Sequence, residues 1–142
     1  MRQTWRALAL CCLVLAGCNR APPEQRLRGE IARMQHALEQ RQADVVMEGV
    51  AQDFYGEGGL DRDMLHRTMA LRMLANARVG VSVGPLDVAL RQGQATVRFQ
   101  ALLTGGDGRW LPDQAQAYDV VTTWRDETGE WRLVSAEWTA RL

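Results

Sequence analysis

The hydrophobic and polar positions of this chain change period once, near Asn76. Between Glu24 and Gln40, Leu27, Ile31, Met34 and Leu38 stand four, three and four residues apart, which places them on one stripe of a helix. Arg28, Glu30, Arg33 and Glu39 fall on its other faces. Asp44 is a good N-cap for a second helix. Val46, Val50 and Phe54 would give that helix its face, with Met47 and Ala51 beside it. It is predicted to stop at Gly56-Glu57-Gly58-Gly59, a run that does not readily stay helical. Asp61 caps a predicted third helix ending near Asn76, with Leu65, Met69 and Met73 in one stripe and Met64, Thr68 and Leu71 alongside. Methionines in such a stripe are adaptable packing before they are metal ligands.

Beyond Asn76 the period is two. Val79, Val81 and Val83 alternate with Gly80 and Ser82, and Gly84-Pro85 bends the chain before Leu86–Leu90 resumes extended character. Gln92-Gly93 is a hairpin turn. Ala95, Val97, Phe99, Ala101 and Leu103 form one face of the next strand. A longer loop follows from Gly105 through Trp110, Pro112 and Asp113. Tyr118, Val120, Thr122 and Trp124 then alternate, Asp126–Gly129 turns the chain, and Trp131–Thr139 returns as the last strand. Strands joined by short turns pair antiparallel. Three helices followed by four or five strands is an α+β order, with the helices packed on one antiparallel sheet.

The first eighteen residues add a location. Met1–Arg6 is basic, Ala7–Leu15 is apolar, and Leu15-Ala16-Gly17-Cys18 closes the run. That is the layout of a secretory signal, and the run is about half of the roughly 20 residues a spanning helix needs. Leu-Ala-Gly-Cys resembles the bacterial lipobox, which implies that residues 1–17 are removed and Cys18 is acylated. Residues 18–25, polar and carrying two prolines, form the tether, reaching only about 25 Å when extended. Residues 26–142 form one domain. The chain is thus expected to be anchored in the bilayer through Cys18, facing the periplasm. Asn19 is not the Asp associated with inner-membrane retention, so the outer membrane is favoured.

Composition removes several chemistries. All three cysteines lie at or before position 18, so the domain has no thiol for a disulfide or a zinc–thiolate site. Every basic residue is Arg, which excludes Schiff-base and P-loop lysine chemistry. The chain has 17 basic and 17 acidic residues; losing Arg2 and Arg6 with the signal leaves a net charge of −2, not that of a nucleic-acid binder. His36 and His66, the two histidines, have no acidic partner at metal-ligand spacing, so no metal and no cofactor are expected.

The order of segments, with Asp53-Phe54-Tyr55-Gly56 closing the second and Val120–Arg125 then Gly129–Val134 closing the chain, resembles the nuclear transport factor 2-like superfamily. Its members include SnoaL-like polyketide cyclases and ketosteroid isomerases. The resemblance covers roughly residues 26–142. It implies a strongly curved, cone-like antiparallel sheet of the cystatin/SnoaL type, closed on one side by helices, with a ligand pocket inside and a dimer interface on the sheet.

An enzyme of that kind needs a general base and an oxyanion donor facing one apolar cavity. The candidates are Asp53, Tyr55 and His66. Asp53 and Tyr55 would point about 200° apart on a helix, so they serve one site only if the helix has ended. The family's Asp and Tyr pattern does not carry over onto this sequence. The aromatic set of Trp110, Tyr118, Trp124, Trp131 and Trp138 is denser. Tyr118 and Trp124 share a strand face, whereas Trp131 and Trp138 face opposite ways on an unbroken strand. Tyr118, Trp124, Trp110 and Trp138 are the candidates for contact with a ligand or partner, with core packing the plain alternative. Three readings result. The first is a non-catalytic lipoprotein domain binding an apolar small molecule or an envelope protein. The second is an isomerase- or cyclase-like enzyme acting on a hydrophobic metabolite. The third is an assembly subunit of an envelope complex, which requires an exposed apolar patch on the sheet.

Overall fold

The computed structural model describes residues 20–106 and 114–141, so Cys18 and Trp110 lie outside the described residues. Three helices, α1 (Pro23–Glu39), α2 (Ala43–Glu48) and α3 (Arg62–Ala75), pack on an open mixed sheet of seven strands. The strands are β1 (Val50–Gly56), β2 (Leu60–Asp61), β3 (Arg78–Val83), β4 (Asp87–Arg91), β5 (Gln94–Gly106), β6 (Gln114–Glu127) and β7 (Glu130–Ala140). Their order is β2-β1-β7-β6-β5-β3, with β4 also paired to β5.

Helix α1 begins on Pro23, where a missing N–H costs nothing, and buries Leu27, Ile31, Met34 and Ala37. Asp61 caps α3 as its sequence position indicates, its Oδ1 accepting the Met64 N–H at 2.7 Å. Strands β3 and β4 lie one after the other along the same edge of β5, bent at Gly84-Pro85. Ala95, Val97, Phe99 and Ala101 on β5 stand opposite Trp124, Thr122, Val120 and Tyr118 on β6, and these residues face the helices.

The predicted second helix is corrected. It ends after one and a half turns, at Glu48, and Val50–Gly56 is a strand. Val50 and Phe54 are buried in either case, because a spacing of four residues keeps a face on a helix and on a strand alike. Gly49 breaks the helix. A Cβ there would stand 2.5 Å from Glu30 Oε1 and 2.8 Å from Met34 Sδ, so any side chain would have to displace the ends of these two α1 side chains. The Gly49 carbonyl accepts the Leu133 N–H at 2.8 Å, and this starts a parallel pairing with β7. The sheet is therefore mixed and not wholly antiparallel, and the extra strands are β1 and the two-residue β2.

A second correction concerns the tryptophans. Leu133 pairs with Trp124 and Ser135 with Thr123, so β7 carries one extra residue, Val134, at a bulge. The bulge resets the alternation, and Trp131 and Trp138 both face the helix side. Trp131 is buried in the core, its Nε1–H donating to the Pro23 carbonyl at 3.0 Å. Trp138, opposite Val120, lies beyond the core at the open end of the same face.

Candidate functional site

The core does not fill the whole concave face. Phe99 and Val120 mark its limit, and beyond them a cavity of about 820 Å³ opens between α3 and the strands β3, β5, β6 and β7. A volume near that size is typical of a small-molecule site. Val79, Ala101, Leu103, Val120 and the Trp138 ring give it apolar walls. Its polar groups are Thr68, Arg72 and Asn76 from α3, Thr104 from β5, and Gln116 and Tyr118 from β6.

Helix geometry aims the first three together. Thr68, Arg72 and Asn76 are four residues apart and form a polar ridge beside the Leu65-Met69-Met73 stripe. The Asn76 amide is fixed by donating to the Arg72 carbonyl at 2.8 Å, which also satisfies the end of the helix. The Gln116 amide donates to the Ala117 and Arg141 carbonyls, both at 3.2 Å. Arg72 and Gln116 are exposed at the rim, while Tyr118, Val120 and Trp138 are half-buried further in. Among the described residues no carboxylate pairs with Arg72, and the described lining contains no Asp, Glu or His.

The predicted catalytic candidates stand elsewhere. Asp53 lies on the sheet's outer side, paired with Arg125 through Oδ1 at 2.9 Å and Oδ2 at 3.1 Å. The Arg125 hydrogen bonds hold the Asp53 carboxyl below the usual carboxylate range, and Asp53 and Glu127 together raise the Arg125 guanidinium further. Such a carboxylate is a poor base. Tyr55 is 59% exposed and lines an outer groove with Asp119, Val121, Glu137 and Trp138, and is not among the residues lining the cavity. His66 lies 2.8 Å from Asp44 and joins α3 to α2, away from the cavity. These residues do not converge: Asp53 and Tyr55 project from β1 on the outer side of the sheet, and His66 projects from α3 towards Asp44 on α2.

Of the aromatic candidates, Tyr118 and Trp138 line the cavity. Trp124 does not: it is 3% exposed in the core, with its Nε1–H donating to Thr122 Oγ1 at 2.8 Å. It shares a strand face with Tyr118, but the core ends between them. The α3 ridge is masked in the sequence because Thr68 stands between the apolar residues Met64 and Leu71. The four-residue spacing of Thr68, Arg72 and Asn76 was the available signal. Among the described residues no group of His, Cys, Asp and Glu could hold a metal ion.

No protein-family model matches the sequence, and no curated protein matches it. Solved structures do match. A candidate scytalone dehydratase from Novosphingobium aromaticivorans superposes with a TM-score of 0.75 at 13% identity, covering 84% of both chains. A candidate dehydratase of the NTF2-like family from Streptomyces avermitilis gives 0.72 at 13% identity, covering 84% of this chain and 97% of that one. An NTF2-like protein with a cystatin-like fold, also from Novosphingobium aromaticivorans, gives 0.66 at 19% identity over 83% and 81%. The fold is NTF2-like. Other structural neighbours of that fold are of unknown function, and identities this low speak to architecture and not to chemistry.

Proposed function

We propose that this protein is a membrane-tethered, non-catalytic binding domain whose NTF2-like cavity takes a small amphipathic anion. The tether is Cys18, acylated on the periplasmic face of a bacterial membrane. One observation carries the ligand class: among the described lining residues one cation, Arg72, sits at the rim of a cavity with apolar inner walls. An apolar or aromatic body would lie against Trp138, Val120 and Leu103. Its anionic group would remain at the mouth, where the guanidinium can pair with it and water still reaches.

Two observations weigh against the rival readings. Asp53, Tyr55 and His66 lie outside the cavity, and its described lining offers no carboxylate or imidazole as a base. The outer sheet face presents Thr96, Arg98, Gln100, Asp119, Thr123 and Arg125 around Val121, and its exposed Leu102 and Tyr55 stand on β5 and β1, three places apart in the strand order, which is not the broad apolar patch of an assembly surface.

Two fluorescent probes sharing one aromatic body test this reading. The sulfonate 1-anilinonaphthalene-8-sulfonate is the anion, and N-phenyl-1-naphthylamine is its uncharged counterpart. Arg72→Gln is expected to weaken the anion about tenfold, since a charge-assisted hydrogen bond contributes about 1.5–3 kcal/mol and the site is partly solvated. Binding of the neutral probe should not change. Equal losses for both probes, or none, refute Arg72 as the anion site. Native mass spectrometry of protein purified from an envelope should carry an unmodified small anion, and its conversion on incubation would instead establish an enzyme.

A further inference from the structure

The contacts that hold the start of the domain lie at one end of the molecule. The Arg20 guanidinium donates to the Thr128 carbonyl at 3.3 Å and covers Gly129 so closely that an added Cβ there would overlap it. The Pro23 carbonyl accepts the Trp131 indole, and Arg26 pairs with Asp126 at 3.0 Å and donates to the Gly129 carbonyl. The β4–β5 turn belongs to the same end, since the Gly93 carbonyl accepts the Asp126 N–H at 2.8 Å. The cavity lies at the other end of β6, beside Gln116 and Tyr118. From Asp126 back to Gln116 the strand runs ten residues, a contour of up to about 33 Å.

Covalent geometry then sets an orientation. The tether is shorter than the expected residues 18–25, because α1 begins at Pro23 and Arg20 is held on the β6–β7 turn; only Asn19 separates Cys18 from Arg20, and two residue steps reach about 7 Å. With Cys18 acylated, a point on which this inference rests on the reading above, the end carrying the β4–β5 and β6–β7 turns lies against the lipid headgroups. We infer that the cavity opens away from the bilayer that holds the protein, so that its ligand is exchanged with the aqueous compartment and is not drawn sideways out of that bilayer. The same geometry agrees with an anionic head at the mouth: the rim groups Arg72 and Gln116 face water, not acyl chains. It predicts that a water-soluble donor can load the site without touching the anchoring membrane.

The test uses the full acylated chain in vesicles of phosphatidylethanolamine and phosphatidylglycerol. Its cysteines leave with the signal or carry the lipid, so Gln92→Cys and Gln116→Cys each provide a unique labelling site. A nitroxide at each position is exposed to nickel chelated on lipid headgroups. The expected result is relaxation several-fold stronger at position 92 than at 116. Equal or reversed relaxation on protein whose mass carries the Cys18 lipid overturns the orientation alone. Protein extracted from membranes without that added mass overturns the anchor, and the orientation with it, while leaving the probe-binding result untouched.

Discussion

Replacing Arg26 by Ala should destabilise this domain by loosening the contacts around the start of α1. The Arg26 guanidinium holds the Asp126 carboxylate at 3.0 Å, the Gly129 carbonyl, and the Ala21 carbonyl at 3.2 Å. The two side chains of the ion pair are 18% and 21% exposed, so the pair is largely shielded but not dry. Hydrogen bonds to charged groups contribute about 1.5–3 kcal/mol each when buried, while fully exposed pairs contribute about 0–1 kcal/mol. After the substitution Asp126 keeps one partner, the Gly129 N–H at 2.6 Å, so its desolvation is only partly uncompensated. The expected cost at neutral pH is about 2 kcal/mol, or about 8 °C in Tm for a domain of this size. Urea unfolding of a form lacking the signal and Cys18, followed by tryptophan fluorescence, measures it. The effect should depend on pH with a definite sign. Burial alone would raise the Asp126 carboxyl, but the Arg26 and Gly129 hydrogen bonds outweigh it and hold the group below its ordinary value. A carboxyl depressed by folding stabilises above its unfolded pKa of about 3.9, and that contribution is lost as the pH falls through the lower folded value. The gap between the Arg26→Ala and parent curves should therefore narrow below about pH 4, leaving the part due to the Gly129 and Ala21 carbonyls. A cost under about 0.5 kcal/mol at pH 7, or a difference unchanged down to pH 3, would refute the account.

Two further substitutions probe the core that positions the cavity. Gly49→Ala should destabilise by about 1 kcal/mol, the low end of overpacking, because the new methyl displaces the flexible ends of Met34 (Sδ at 2.8 Å) and Glu30 (Oε1 at 2.5 Å); an unchanged urea midpoint would refute a packing role for the bare Gly49. Thr122→Val keeps the shape but removes the acceptor of the Trp124 indole and the donor to the Val97 carbonyl at 3.3 Å. Its cost should be about 1–3 kcal/mol for the unpaired buried groups, with neutral-probe binding intact, and a stabilised variant would refute the role of the hydroxyl.

Much of the architecture was legible along the chain. Helices α1 and α3, the Asp61 cap, the turns at Gln92-Gly93 and Thr128-Gly129, and the shared face of Ala95 to Leu103 all follow from local rules of period and turn chemistry. Val50–Gly56 was not legible as a strand. Its apolar spacing fits both periods, and the deciding contacts, α1 against Gly49 and Leu133 on the Gly49 carbonyl, come from distant parts of the sequence. The bulge at Val134 was hidden for the same reason: parity counts faces only on an unbroken strand. These two events account for the displaced site. With β1 a strand, Asp53 and Tyr55 leave the cavity, and with the bulge in place, Trp138 enters it.

By itself the sequence determined the class of the fold and the lack of usable cysteine and lysine chemistry in the domain, since both depend on residue type and short-range spacing. Only the tertiary structure decided where the core ends, that the α3 ridge of Thr68, Arg72 and Asn76 faces Tyr118 and Trp138 across an open space, and that this space lies at the opposite end from Arg20. A filled and an open concave face obey the same alternation of side chains. What separates them is the register of strands far apart in sequence, which no local period records.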